Sequence, residues 1–281
     1  MTINEQALWL HGEGFDMLGI VSLPPASTPA QRTGVVIVVG GAQYRAGSHR
    51  QFVQLARFLA EGGFPVLRFD LPGMGDSPGE LPSFEDTAPH IAAAIDGFQR
   101  QHPGVERVVL WGLCDGASAS LLYVDATHDP RIAGLALLNP WVRSEASLAR
   151  ARVKHYYKQR LMEPDFWQKL LNGRIGMMAL KSLGESVRRM SKTESTKQSF
   201  QMRMGQTWRS FDKPIVLLLS EYDLTAQEFV EHANINPAWA GWSKKMDFFQ
   251  YTLERADHTC STPQSSRRCE ELTLYHLQTR I

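Results

Sequence analysis

The run Val108-Val109-Leu110-Trp111-Gly112-Leu113-Cys114-Asp115-Gly116-Ala117 constrains the fold more than any other stretch of the chain. Its apolar, β-branched start reads as a buried strand, and the small residues from Gly116 to Ser120 open a helix. No loop residues separate the two, so the chain must turn sharply at one strained position. Residues two before and two after that position must then be tiny to avoid collision, and both are glycine. The side chain at the apex is Cys114. The helix beginning there directs free N–H groups and its positive dipole end at the sulfur, which favours a thiolate, while the carboxylate of Asp115 pulls the other way. The N–H of Asp115 would also face a developing oxyanion. A small apolar cysteine filling a strand-to-helix corner accounts for the pentapeptide equally well, so the rest of the chain has to decide.

Strand patterns recur around this turn. Val35 to Val39 ends in Gly40-Gly41, and Pro65 to Phe69, Ile132 to Leu138, Pro214 to Leu219 and Phe248 to Leu253 repeat the short apolar signature. Between them Phe52, Leu55, Ala56 and Leu59 recur at helical spacing, as do Ile91, Ile95 and Phe98 behind a cap at Ser83 with Asp86 three residues later. Glu270 to Leu277 closes the chain as a helix. Leu8-Trp9-Leu10 and Met17 to Leu23 form an antiparallel hairpin at the sheet edge. The expectation is an α/β fold: a mostly parallel, eight-stranded sheet with helices on both faces. Only residues 141–211 break the alternation, with helical patterns and no strand. They read as a helical cap inserted after the sixth strand, leaving 1–140 and 212–281 as the core.

Charge and cysteine usage exclude several function classes. Net charge is +1, which favours neither nucleic acid nor a membrane surface, and no apolar run approaches the roughly 18 residues a bilayer span needs. The start lacks a basic segment followed by an apolar one, so no secretory signal is read. Three cysteines, Cys114, Cys260 and Cys269, have neither framework nor metal spacing, which fits a reducing compartment and a cytoplasmic protein without metal or cofactor. The neutral total hides an asymmetry, since residues 141–211 carry 15 Lys and Arg against 5 Asp and Glu.

A nucleophilic thiol needs a general base, and the base an orienting acid. Asp223 follows a strand end and lies 109 residues beyond Cys114, and His258 comes 35 residues later, after the last strand. This is the order nucleophile, acid, histidine. Asp257 and Glu221 are rival acids, although a residue adjacent to the histidine rarely curls back onto its ring. The second oxyanion donor is assigned to the N–H of Ala42, with Gln43 as alternative, because Gly40-Gly41-Ala42-Gln43 follows the strand two before the turn. Gln43, Arg45 and Trp141 are candidate substrate contacts. The run Arg68 to Gly79 misses the spacing of a phosphate-cradling loop and reads as structural.

These segments resemble the α/β-hydrolase superfamily along essentially the whole chain. The carriers are Asp70-Leu71-Pro72-Gly73-Met74-Gly75-Asp76-Ser77, Gly-Leu-Cys-Asp-Gly and Ala256-Asp257-His258-Thr259. More narrowly, the run from Gly40 to Phe52 and Asp223-Leu224-Thr225-Ala226-Gln227-Glu228-Phe229 resemble the first type of exosortase-A-system-associated hydrolases, which occur with bacterial exopolysaccharide and protein-sorting gene clusters. The resemblance implies a Cys114–Asp223–His258 triad and the cap. The superfamily's usual serine is replaced by cysteine, which favours thioesterase or acyltransferase chemistry over lipase-like ester hydrolysis.

The substrate expected is a small-molecule acyl donor, and the basic stretch would suit a coenzyme A or carrier-protein thioester. Met162, Met177, Met178, Met190, Met202 and Met204 would supply an adaptable apolar lining there. The same features also describe a solvated basic surface over a packing face. A non-catalytic binding or scaffold protein that kept the fold, and redox sensing at Cys114 with Cys260 as partner, are the competing classes.

Overall fold

The computed structural model describes residues 3–41, 43–143 and 198–281. Eight strands form one sheet: β1 (Asn4–Gly12), β2 (Phe15–Leu23), β3 (Thr33–Val38), β4 (Val66–Phe69), β5 (Arg107–Leu113), β6 (Ile132–Leu138), β7 (Ile215–Ser220) and β8 (Phe248–Leu253). Their order is β1-β2-β4-β3-β5-β6-β7-β8. β1 and β2 pair antiparallel, β2 joins β4 antiparallel, and every pairing from β4 to β8 is parallel. The eight-stranded, mostly parallel sheet, with its edge hairpin, is the architecture expected from the sequence.

Side chains on successive strand residues face opposite ways, and both faces are dry. Val36, Val38, Val108 and Leu110 point into one core, shared with α2 (Ala88–Gln101) and α3 (Asp115–Thr127). Val35, Ile37, Val109, Trp111 and Leu113 point into the other, covered by α1 (Gln51–Glu61) and by the C-terminal helix (Pro263–Thr279).

Three boundaries differ from expectation. Ser83 does cap a turn, but a 3-10 turn at Phe84–Asp86, and α2 begins only at Ala88, where Pro89 supplies a pre-set φ. The C-terminal helix starts at Pro263, capped by the Thr262 hydroxyl, because polar first turns carry no apolar period to reveal them. Third, the chain divides into the units Met1–Val142 with Phe200–Ile281, and Arg143–Ser199. The end of the stretch expected as cap thus belongs to the core unit, as helix α4 (Phe200–Ser210). Phe200, Met204 and Trp208, four residues apart, are buried there, and Trp208 packs on Phe229, Trp239 and Trp242. Helical periodicity cannot say which body a helix joins; burial of three large side chains decides it. Of the six methionines, Met204 is core and Met202 is exposed. Met162, Met177, Met178 and Met190 lie outside the described residues. Among the described residues the remaining α-helices are α5 (Leu224–Ile235) and α6, the C-terminal helix Pro263–Thr279.

Crowding at the crossing of β5, α3 and β3 leads to a stability prediction. A Cβ on Gly116 would run into the Val38 carbonyl oxygen, a backbone atom that cannot rotate away. Gly116→Val should therefore cost about 2–3 kcal/mol, read as a lowered urea midpoint at unchanged m-value.

Candidate active site

Cys114 stands between β5 and α3 with φ 60° and ψ −124°, a left-handed φ that a side-chain-bearing residue rarely adopts. The surroundings enforce it. Its N–H donates to the Leu138 carbonyl at 2.9 Å, and its own carbonyl accepts from Ala117 at 3.1 Å and Trp141 at 3.2 Å. Gly112 allows the first turn of α3 to press against β5, since a Cβ there would strike Gly116 and Ala117. The thiol is free and half-buried.

Asp223 ends the turn after β7 and caps α5, accepting from the N–H groups of Thr225 at 3.0 Å and Ala226 at 3.3 Å. Its Oδ2 also meets His258 Nδ1 at 2.8 Å. Burial raises this carboxyl's pKa, but the hydrogen bond from His258 and the helix N–H groups outweigh that, and the net shift is downward. The Cys114 sulfur acts on the same imidazole. The His258 pKa is raised to about 10, first by Asp223 and then by Cys114, against the opposing effect of burial. An imidazole with Nδ1 held by a carboxylate has Nε2 free to exchange a proton with sulfur.

The rival acids are engaged elsewhere. Asp257 accepts from the N–H groups of Thr259 at 3.2 Å and Ser261 at 2.9 Å, and from the Ser261 hydroxyl. Glu221 accepts from the Arg255 N–H at 2.7 Å. Asp115 opens α3, where the first N–H groups have no intrahelical partner. Its carboxylate folds back over Gly40-Gly41, accepting from the Gly41 N–H at 2.8 Å. Burial raises its pKa. Ala42 lies outside the described residues.

The three candidate substrate contacts fare differently. Trp141 is partly buried and packed on the core beside the turn, its carbonyl accepting from the Ser118 hydroxyl at 2.6 Å. Gln43 is tied within its own loop, donating to Ser48 at 3.2 Å and accepting from Gln51 at 3.4 Å. Arg45 is committed to Asp70 and Asp76, with 14% of its side chain exposed. Asp70 is wholly buried and also accepts from the Arg45 N–H at 2.6 Å. Arg45 thus fastens the Gly40–Ser48 loop to the Asp70–Ser77 loop, where the sequence offered it as a substrate contact. A sequence pattern cannot distinguish an arginine that is free from one already paired. The Asp70–Ser77 run is a structural loop, as expected.

Sequence reasoning passed over Asn139. Fully buried, with φ 48°, it accepts from the Ser220 N–H at 2.8 Å and donates to the Ser220 hydroxyl at 2.9 Å and the His258 carbonyl at 3.1 Å. One amide thereby joins the ends of β6 and β7 to the histidine loop. Its only signal was a polar residue closing the apolar run Ile132–Leu138 before Pro140. Among the described residues, no group of three or more His, Cys, Asp or Glu could hold a metal ion, and no helix is long and apolar enough to cross a membrane.

A strand–turn–helix corner on a doubly covered, mostly parallel sheet defines a class, and the chain belongs to the alpha/beta hydrolase family, whose model matches residues 35–272. It is similar to human Protein ABHD12B, with 38% identity over 86 residues. That match covers 30% of this chain, and the chain spans 23% of the length of that relative. Among solved structures it is similar to a Pyrococcus furiosus esterase, at TM-score 0.61 and 15% identity, covering 99% of this chain and 93% of that one. An alpha-beta serine hydrolase homologue from Coxiella burnetii gives 0.59 and 14%, covering 97% of each chain. A dienelactone hydrolase from Anabaena variabilis gives 0.61 and 12%, covering 99% of each. At these identities the likeness is one of fold.

Two measurements test the geometry. In an NMR titration the His258 ring should hold its proton to about pH 10, and both Asp223→Asn and Cys114→Ala should move its midpoint down toward 6.5. Because the folded value exceeds the unfolded one, this proton adds stability that is full below pH 6.5 and is lost as pH rises through about 10. Asn139→Ala strands the Ser220 N–H and the His258 carbonyl, and should cost about 1–3 kcal/mol in denaturant unfolding.

Proposed function

We propose that this member of the alpha/beta hydrolase family transfers acyl groups through a thioester on Cys114, as a thioesterase or acyltransferase acting on an acyl thioester or activated ester. The observation that carries this reading is the hydrogen bond between His258 Nδ1 and Asp223 Oδ2 at 2.8 Å, together with the influence of the Cys114 sulfur on the same imidazole. His258 holds the thiol's proton as imidazolium before the sulfur attacks the acyl carbonyl, and Asp223 stabilises that imidazolium. The Asp115 N–H holds the oxyanion, with the Ala42 N–H as its intended partner. Collapse expels the leaving thiol or alcohol, which receives the proton from His258. Water or an acceptor nucleophile, deprotonated by the same imidazole, then releases the acyl group.

The element at the apex bears on the substrate. Exchanging one thioester for another is nearly level in energy, whereas an ordinary ester must climb to reach an acyl-cysteine. The reading therefore favours thioester donors. Trp141, whose N–H donates to the Cys114 carbonyl at 3.2 Å, is proposed to bound the acyl chain. The excess positive charge of residues 141–211 fits a coenzyme A or carrier-protein donor and a cytoplasmic setting, and the stretch Arg143–Ser199 is proposed to form the helical cap. Membership in the first type of exosortase-A-system-associated hydrolases is proposed on the motifs around Gly40 and Asp223.

The test is incubation with short- and long-chain acyl thioesters and p-nitrophenyl esters, followed by intact mass and turnover. An acyl adduct should appear on wild type and be absent in Cys114→Ala, with turnover lowered about 10³-fold or more. Asp223→Asn should lower turnover about 10²- to 10⁴-fold. Turnover in Cys114→Ala equal to wild type, or no adduct and no turnover with any donor, overturns the enzyme reading in favour of a binding protein on this fold.

A further inference from the structure

The carboxylate of Asp115 stands where an acid is unfavourable, one residue from a sulfur whose thiolate it repels. The triad gives it no task. Its Oδ2 accepts from the Gly41 N–H at 2.8 Å. Oδ1 is buried and has no hydrogen-bond partner among the described residues. Burial raises this carboxyl's pKa against the opposing hydrogen bond from Gly41, so ionising it there carries a cost. A buried, unsatisfied oxygen beside a nucleophile calls for a compensating role.

The packing around it indicates that role. β3 ends at Val38, and the loop that follows lies directly on the first turn of α3. A Cβ on Gly40 would strike Asp115 Oδ1 and the Gly116 nitrogen. A Cβ on Gly116 would strike the Val38 carbonyl oxygen and come within 3.1 Å of the Gly40 nitrogen. Gly41 then turns with φ 60°, its N–H held by Oδ2. Residue 40 must therefore be glycine for the carboxylate to fit, and the carboxylate in turn secures the backbone that the glycine admits.

We infer that Asp115 is a positioning residue for acyl transfer, its carboxylate anchoring the Gly40–Gly41 backbone to the start of α3 and thereby fixing the separation of the two donors proposed for the oxyanion. The role rests on the acyl-transfer reading. When the sulfur attacks, the C–S bond forms and the carbonyl π pair moves onto oxygen. One donor to that oxygen is the N–H of Asp115 itself, which cannot move without α3. The other is proposed on Ala42, directly after the anchored peptide. Donors fixed before the charge develops need no reorganisation when it does. Asp115 thus acts twice, through its main chain on the oxyanion and through its side chain on the loop.

The test compares full-length wild type, Asp115→Asn and Asp115→Ala. Asparagine keeps an acceptor for the Gly41 N–H without the charge, and alanine removes both. Should Asp115→Ala not fold, Asp115→Ser replaces it, its hydroxyl being too short to span to Gly41. Two reactions of Cys114 are timed by peptide mass: acylation by acyl thioesters, and alkylation by iodoacetamide, which displaces iodide at carbon and develops no oxyanion. Asp115→Ala should acylate about 10- to 100-fold more slowly than wild type at saturating donor, part of the roughly 10²- to 10³-fold that one oxyanion contact supplies. The half-saturating donor concentration should change little, because the lost contact belongs to the transition state. Asp115→Asn should recover most of the rate. The alkylation pH profiles of the two variants should coincide, since both lack the charge. Acylation by Asp115→Ala equal to wild type overturns the positioning role and leaves the acyl-transfer reading standing. Equal slowing of acylation in both variants assigns the effect to charge and also overturns it, as does a parallel loss of acylation and alkylation in Asp115→Ala alone. Absence of an acyl adduct on wild type with any donor overturns the acyl-transfer reading, and the role of Asp115 with it.

Discussion

The strained turn at Cys114 is the constraint on which the rest of the arrangement depends. A φ of 60° at a residue with a side chain is unfavourable, and it persists because the surrounding backbone leaves no alternative. The Leu138 carbonyl holds the Cys114 N–H, and α3 begins one residue later, pressed against β5 through Gly112 and against β3 through Gly116. The gain from burying two sheet faces under helices far exceeds the strain at one residue. The same crowding aims the sulfur off the end of the sheet and starts a helix beneath it, so that a strand-to-helix corner becomes a place where chemistry is possible.

The partners of the sulfur are brought to it by the parallel sheet. β6 stands next to β5, β7 next to β6 and β8 next to β7, so the segments leaving their carboxyl ends gather at one edge. Asp223 leaves β7, and His258 leaves β8. What keeps them in register is polar and buried: Asn139 at the end of β6 ties Ser220 and the His258 carbonyl together in a region without solvent. On the other side, the Arg45–Asp70–Asp76 cluster fastens two loops that would otherwise be free. Asp115 joins these systems, its N–H starting α3 and its carboxylate gripping the Gly41 backbone.

Much of this was readable beforehand because it rests on local rules. Short β-branched runs in a chain of this length predict buried parallel strands, and Gly112 and Gly116 around Cys114 predict the turn. The limits were equally physical. The start of α6 is polar, so no apolar period marks it. The helix Phe200–Ser210 shares its periodicity with the stretch before it, and only the packing of Trp208 on Trp239 and Trp242 assigns it to the core unit. Arg45 carried the same signal as a free arginine until its two carboxylates were located.

By itself, then, the sequence determined the sheet, the turn and the chain order of Cys114, Asp223 and His258, because strand period, glycine sterics and element order are properties of short segments. The tertiary structure alone decided which carboxylate faces His258, which arginine is already spent, and which amide holds the histidine loop. Each of those is a contact between residues far apart in the chain: Asp257 adjoins the histidine and Asp223 lies 35 residues before it, yet the closing of β7 beside β8 brings Asp223 to Nδ1 while Asp257 caps its own turn.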